Sequence, residues 1–195
     1  MKVRILLATM AIVGCGVAMA QENRFSAGLE LGLPMGDFGD VQGIGFGVSL
    51  AYELPVGDNL GVLAQVGYLS FSAKDIEIDL GPFGSMTVEG MTMAAIPIQV
   101  GAKYYFTENQ AGFYAGALVG LHLLTPEEGD GRSNLSLAPM IGYVIGENID
   151  LQLRYQLMFD SYEETTIVGT TVTTEDVSVT NSYLGLRAAY MFGSR

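Results

Sequence analysis

Between residues 96 and 106 the sequence reads IPIQVGAKYYF, and every second residue is apolar. Ile96, Ile98, Val100, Ala102, Tyr104 and Phe106 fall on one side of an extended chain, while Gln99 and Lys103 fall on the other. A strand with one oily face and one polar face lies between two different environments. The same alternation runs through GIGFGVSLAYEL (43–54), where Ile44, Phe46, Val48, Leu50, Tyr52 and Leu54 oppose Gly45, Gly47, Ser49, Ala51 and Glu53. Wound as a helix, these apolar residues would spiral round all sides, so the period selects a strand. IDLQLRYQLMF (149–159) repeats the pattern, with Asp150, Gln152, Arg154, Gln156 and Met158 on the second face. The opening stretch belongs to a segment near 92–106, and further segments of this kind lie near 24–34, 60–72, 113–124, 135–145 and 182–192, making eight in all. At roughly 10 residues each they suit tilted strands crossing a bilayer and exceed the usual globular strand.

The connections alternate in length. PVGDN (55–59), TENQAG (107–112) and GEN (146–148) are short, whereas 35–42, 75–91, 125–134 and 160–181 are long. Short turns at one end and long loops at the other define an up-and-down transmembrane barrel, with the short turns on the periplasmic side. Both chain termini fall on that side. The last loop is rich in Thr and Val and is expected to carry its hairpin beyond the membrane. Phe25, Tyr52, Tyr104, Phe106, Phe113, Tyr143, Tyr190 and Phe192 crowd the strand ends on the short-turn side, where an aromatic girdle belongs. The oily face therefore meets lipid, and the mixed Gly, Ala, Gln, Arg and Lys face meets the barrel interior. A soluble barrel would invert this arrangement.

Residues 1–20 form a separate unit. Lys2 and Arg4 precede an apolar run, and Ala18-Met19-Ala20 makes a small-x-small cleavage site, the pattern of a secretory signal peptide cut after Ala20. Ile12-Val13-Gly14-Cys15 resembles a lipobox, so lipid attachment at Cys15 is the rival reading. Residues 21–195 are expected to form one outer-membrane β-barrel domain with no cysteine and no thiol chemistry. Loss of Lys2 and Arg4 takes the net charge from −12 to −14. That balance excludes nucleic acid as a partner, since a phosphate backbone needs a basic footprint.

The run formed by IPIQVGAKYYF (96–106), FYAGALVGL (113–121), IGYVIGENIDLQLRYQL (141–157) and SYLGLRAAYMF (182–192) resembles the small eight-stranded outer-membrane barrels of Gram-negative bacteria. The similarity extends to the PorT-like outer-membrane β-barrel family common in Bacteroidetes, and it covers the whole chain beyond residue 20. The resemblance implies an outer-membrane location, contact with lipid and lipopolysaccharide, and assembly by the barrel-insertion machinery. It implies no catalytic residues, because the family shares none; some relatives assist protein secretion. Such barrels usually end on an aromatic residue, whereas here Tyr190-Met191-Phe192 is followed by Gly193-Ser194-Arg195, so the insertion signal is offset.

Three constellations bear on function. Glu30, Glu53, Lys103, Arg154 and Arg187 fall on the inner face with Gln65, Gln99 and Gln152. Charges shielded from bulk water must pair. Closure brings Glu30 to Arg187, with Arg154 one strand further, and leaves Lys103 to Glu53 or a glutamine carbonyl. The inward Gly45, Gly47, Gly67, Gly101, Gly116, Gly120, Gly142 and Gly185 leave room for these long side chains. Such a network reads as a plug of salt bridges, or alternatively as a gate on an ion path. Second, His122 points inward near the outer rim, where the next hairpin can set it across from Ser136; such a pair would serve a lipid-modifying hydrolase. Third, the long loops are acidic, and PEEGDG (126–131) and DIEID (75–79) offer oxygens to a calcium ion without EF-hand spacing. No Walker loop, dinucleotide fingerprint, zinc spacing or nucleophile elbow is present. These readings point to a non-enzymatic surface protein with no cofactor and no resident metal, acting through its four extracellular loops on an unidentified partner. A hydrolase and a small-solute channel are the alternatives.

Overall fold

The computed structural model describes residues 23–79, 84–107, 110–126, 131–146, 148–168 and 171–192. The signal-peptide cleavage at Ala20 and the alternative lipidation at Cys15 lie outside them. Eight strands close into a barrel: β1 (Arg24–Met35), β2 (Gln42–Val56), β3 (Leu60–Ala73), β6 (Met93–Tyr105), β7 (Gly112–Pro126), β8 (Arg132–Ile145), β9 (Ile149–Val168) and β10 (Thr171–Phe192). Each pairs antiparallel with its neighbours in the chain, and β1 closes on β10 from Phe25↔Phe192 to Met35↔Ser182. The period-two segments became strands because each alternation satisfies lipid on one side and the lumen on the other.

Two of the expected loops hold structure of their own. Residues 75–91, read as one loop, contain the short hairpin β4 (Ile76–Asp79) and β5 (Ser85–Val88), which pairs outside the barrel. Residues 35–42, also read as a loop, form the one-turn helix α1 (Asp37–Val41). Gly36 precedes it at φ 58°, a left-handed backbone that glycine adopts without a Cβ penalty. The helix folds down over the extracellular mouth, where Phe38 is buried against Phe71 with ring centroids 5.2 Å apart. Lys74 pins it by donating from Nζ to the Gly39 carbonyl at 2.5 Å. Replacing Phe38 with Ala is expected to cost about 3 kcal/mol, the scale of emptying a buried aromatic site, and to raise proteolysis between Met35 and Gln42 in intact cells. The β9–β10 hairpin extends as expected, pairing from Tyr190↔Ile149 out to Thr171↔Val168.

Two prolines interrupt the wall. The β3–β6 ladder lacks partners between Val66↔Ile98 and Leu69↔Ala95, beside Pro97, which has no N–H to donate. The β8–β9 ladder breaks between Leu137↔Leu157 and Met140↔Arg154, beside Pro139. There the Gln156 amide turns to the wall and donates to the Leu157 carbonyl at 3.3 Å and the Leu137 carbonyl at 3.5 Å.

Leu29 is 70% exposed and Phe46 66%, as lipid-facing side chains must be. The girdle aromatics pair laterally on the outer surface: Phe25 with Tyr52, Phe113 with Tyr143, and Tyr190 with Phe192. The interior is less uniformly polar than the alternation implied. Three apolar clusters punctuate it: Phe38, Leu69, Phe71, Leu124, Met158 and Tyr183 under the helix; Leu63, Leu118, Ala138 and Met140; and Tyr105, Tyr114, Val144 and Met191 near the short turns. An eight-stranded barrel has room only for its own side chains, so any level without a charge to seat is filled by carbon. Gly32 and Gly45 show how tightly: a Cβ on either would come within 2.8 Å or 2.5 Å of the Phe71 ring.

Candidate functional site

The charged residues collect in the lumen as one connected chain. Glu30 on β1 sits at its upper end. Arg154 Nη2 donates to Glu30 Oε2 at 2.7 Å, Gln65 Nε2 donates to Oε1 at 3.2 Å, and Arg187 Nε lies 3.6 Å from the same oxygen. The β1–β10 register places Glu30 directly opposite Arg187, and Arg154 is one strand further round, opposite Gly185. The guanidinium of Arg187 also donates to Ser49 Oγ and Ser26 Oγ, each at 2.8 Å, and Nη1 reaches Asp150 Oδ2 at 3.5 Å.

Asp150 links this group to a second one. Lys103 Nζ donates to Asp150 Oδ2 at 2.8 Å and lies 3.1 Å from Glu53 Oε2. Phenols complete the carboxylates: Tyr114 donates to Asp150 Oδ1 and Tyr105 to Glu53 Oε1, both at 2.6 Å. The ammonium also stands 4.5 Å over the Tyr114 ring, within reach of its negative face. Arg24 closes the series at the short-turn end, 3.9 Å from Glu53. Charge alternates in sign along the whole path from Arg24 through Glu53, Lys103, Asp150, Arg187 and Glu30 to Arg154. Desolvating each member is costly, and the path is tolerable because every charge meets an opposite one and neutral donors take up remaining lone pairs.

Sequence reasoning named Glu30, Glu53, Lys103, Arg154 and Arg187, and the structure brings all five into this path. It missed Asp150, which is the hub. The signal was present, since Asp150 alternates with Ile149 and Leu151 and so shares the face of Arg154. The inward Tyr105, Tyr114 and Tyr183 fall outside the expected network, which counts only charged and amide side chains on the polar face. Tyr105 in particular follows Tyr104, and only parity separates lumen from lipid.

Above the charges lies a neutral polar level. Gln99 Nε2 donates to Ser136 Oγ at 3.1 Å and to Gln156 Oε1 at 3.3 Å. His122 Nε2 is 3.1 Å from the Tyr183 hydroxyl. The β7–β8 register sets His122 opposite Asn134 and Ser136 opposite Gly120. The hairpin thus falls two residues away from the cross-strand position expected for Ser136, and no hydrogen bond joins it to His122. For the acidic loops, residues 127–130 and the side chains of 76–79 lie outside the described residues. Among the described residues no group of three or more His, Cys, Asp or Glu is placed to hold a metal ion.

A closed antiparallel barrel with a lipid-facing apolar exterior, an aromatic girdle and a lumen occupied by paired charges defines a small outer-membrane barrel protein. Residues 5–193 match the outer membrane protein beta-barrel domain family, and the chain belongs to it. The protein resides in the outer membrane. No curated protein matches the sequence. Among solved structures, OprG of Pseudomonas aeruginosa is 13% identical with a TM-score of 0.52, over 89% of this chain and 96% of OprG. Neisserial surface protein A is 14% identical with a TM-score of 0.51, over 87% of this chain and 95% of that protein. At such identity the likeness is one of fold.

Proposed function

We propose that this protein is a non-enzymatic outer-membrane scaffold that anchors extracellular loops and the long β9–β10 hairpin at the cell surface, for structural or recognition purposes. The observation that carries the reading is the lumen. Among the described residues its charges are spent on one another and Phe38 packs over its mouth, so the interior is occupied by its own side chains. What remains available to a partner is outside: the acidic loops, in a membrane whose outer leaflet carries lipopolysaccharide. A divalent ion bridging loop carboxylates to lipid phosphates fits their charge, and a secretion accessory role fits the same architecture. Cleavage after Ala20 and insertion by the barrel-assembly machinery belong to this reading.

Purified protein in planar bilayers is expected to give no discrete conductance steps. Steady single-channel openings from the wild-type chain would overturn the scaffold reading in favour of the small-solute channel. The hydrolase alternative draws no support from the geometry, because Ser136 and His122 each bond to other side chains.

A further inference from the structure

We propose that Lys103 and Asp150 condense into an intramolecular amide bond that struts the barrel across its lumen. This inference does not depend on the role of the loops. The parts needed for the reaction stand together in a water-excluded place. Lys103 on β6 is the nucleophile and is 3% exposed; Asp150 on β9 is the electrophile and is 1% exposed. Their Nζ–Oδ2 distance is 2.8 Å. Glu53 Oε2, 3.1 Å from the same Nζ, is placed to take and return a proton. The Tyr114 hydroxyl, 2.6 Å from Asp150 Oδ1, donates to the atom on which negative charge develops.

The step balances without any co-reactant. Lys103 Nζ passes one proton to Asp150 Oδ2 along their 2.8 Å hydrogen bond, which turns an ion pair into a neutral amine and a neutral acid. The amine lone pair attacks Cγ, and the carbonyl electrons move to Oδ1 under the Tyr114 hydroxyl. Glu53 removes a proton from the attached nitrogen and delivers it to Oδ2. The Cγ–Oδ2 bond breaks, Oδ2 leaves as water, and Glu53 is again a carboxylate. One ammonium and one carboxylate have become one amide and one water.

The surroundings tolerate the product. Removing the two charges orphans none of the others: Glu53 keeps the Tyr105 hydroxyl and Arg24, and Arg187 keeps Glu30, Ser49 and Ser26.

Mass spectrometry of the full chain isolated from outer membranes tests this directly. The intact protein is expected to be one water lighter than its sequence requires. Trypsin is expected to leave the Lys103 bond uncut and to yield segment 75–132 joined to segment 133–154. Separate, unmodified peptides 75–103, 104–132 and 133–154 would overturn the proposal. The Glu53→Gln variant, checked for heat-modifiable migration to show that it folds, is expected to regain the water mass and the cut at Lys103. A joined peptide in that variant would remove Glu53 from the mechanism.

Discussion

Glu30→Ala is expected to destabilise the barrel by about 3–5 kcal/mol, the scale of breaking a buried ion pair from one side. Two guanidiniums depend on this carboxylate. Arg154 holds it at 2.7 Å and is itself 1% exposed, while Arg187 lies 3.6 Å away. Removing the acid leaves a surplus of positive charge in a place water does not reach, and Gln65 loses the acceptor of its amide. The effect should appear as a marked fall in the urea concentration at which the heat-modifiable band converts to the unfolded one. The double change Glu30→Ala with Arg154→Met should recover part of the loss, because it removes the stranded cation and fills its volume with carbon. A single change that leaves the midpoint where it was would show that the lumen is open to water and that the path of charges is solvated.

Gly101→Val is expected to abolish assembly of the heat-modifiable form. A Cβ at Gly101 would stand 2.0 Å from the Ala117 carbonyl oxygen and 2.9 Å from the Leu118 Cα. Gly120, on the facing strand, has the same relation to β6, with a Cβ only 2.1 Å from the Ile98 carbonyl oxygen. Both obstacles are backbone, so no rotamer change relieves them and the β6–β7 strands must separate. Overpacking a core costs about 1–3 kcal/mol when side chains can yield; here the ladder itself has to move, which places the cost at the upper end or beyond. Ala64→Val on the lipid face serves as the control and is expected to leave the urea midpoint within about 0.5 kcal/mol of the wild type, as surface changes do. Comparable loss in both variants would mean that added bulk, rather than strand contact, is what the barrel rejects.

The two expectations differ in how far they were visible beforehand. That Glu30 would meet Arg187 follows from closure of the first strand on the last, and Glu30, Arg154 and Arg187 all sit on polar faces set by alternation. The hub role of Asp150 required distances, since alternation puts it on the inner face but does not say which side chains it meets there. The position of Ser136 failed on register: a hairpin two residues longer or shorter than assumed moves every cross-strand partner by that amount, and residues 126–132 carry several turn signals, Pro126, Gly129 and Asp130-Gly131, that do not fix one register between them. Helix α1 was missed for a related reason. Its five residues have too short a period to read, and it exists because Phe38 finds an apolar seat on Phe71 and Tyr183, residues far away in the chain.

Alternation at period two set the eight strands, and the chemistry of their two faces, with the aromatic girdle and the alternating loop lengths, set a barrel with lipid outside and mixed polarity within. Each strand must satisfy two solvents at once, and only residues i, i+2 and i+4 share a face. The tertiary structure alone decided which inner residues touch. Contacts across a lumen join strands that are neither adjacent nor consecutive, so Lys103 finds Asp150 and Glu53 only after shear and closure have set their heights. It also decided that the interior would be layered, with a neutral polar level above the paired charges and apolar clusters packed around both, because a space this narrow has to be filled at every level by whatever side chain points inward.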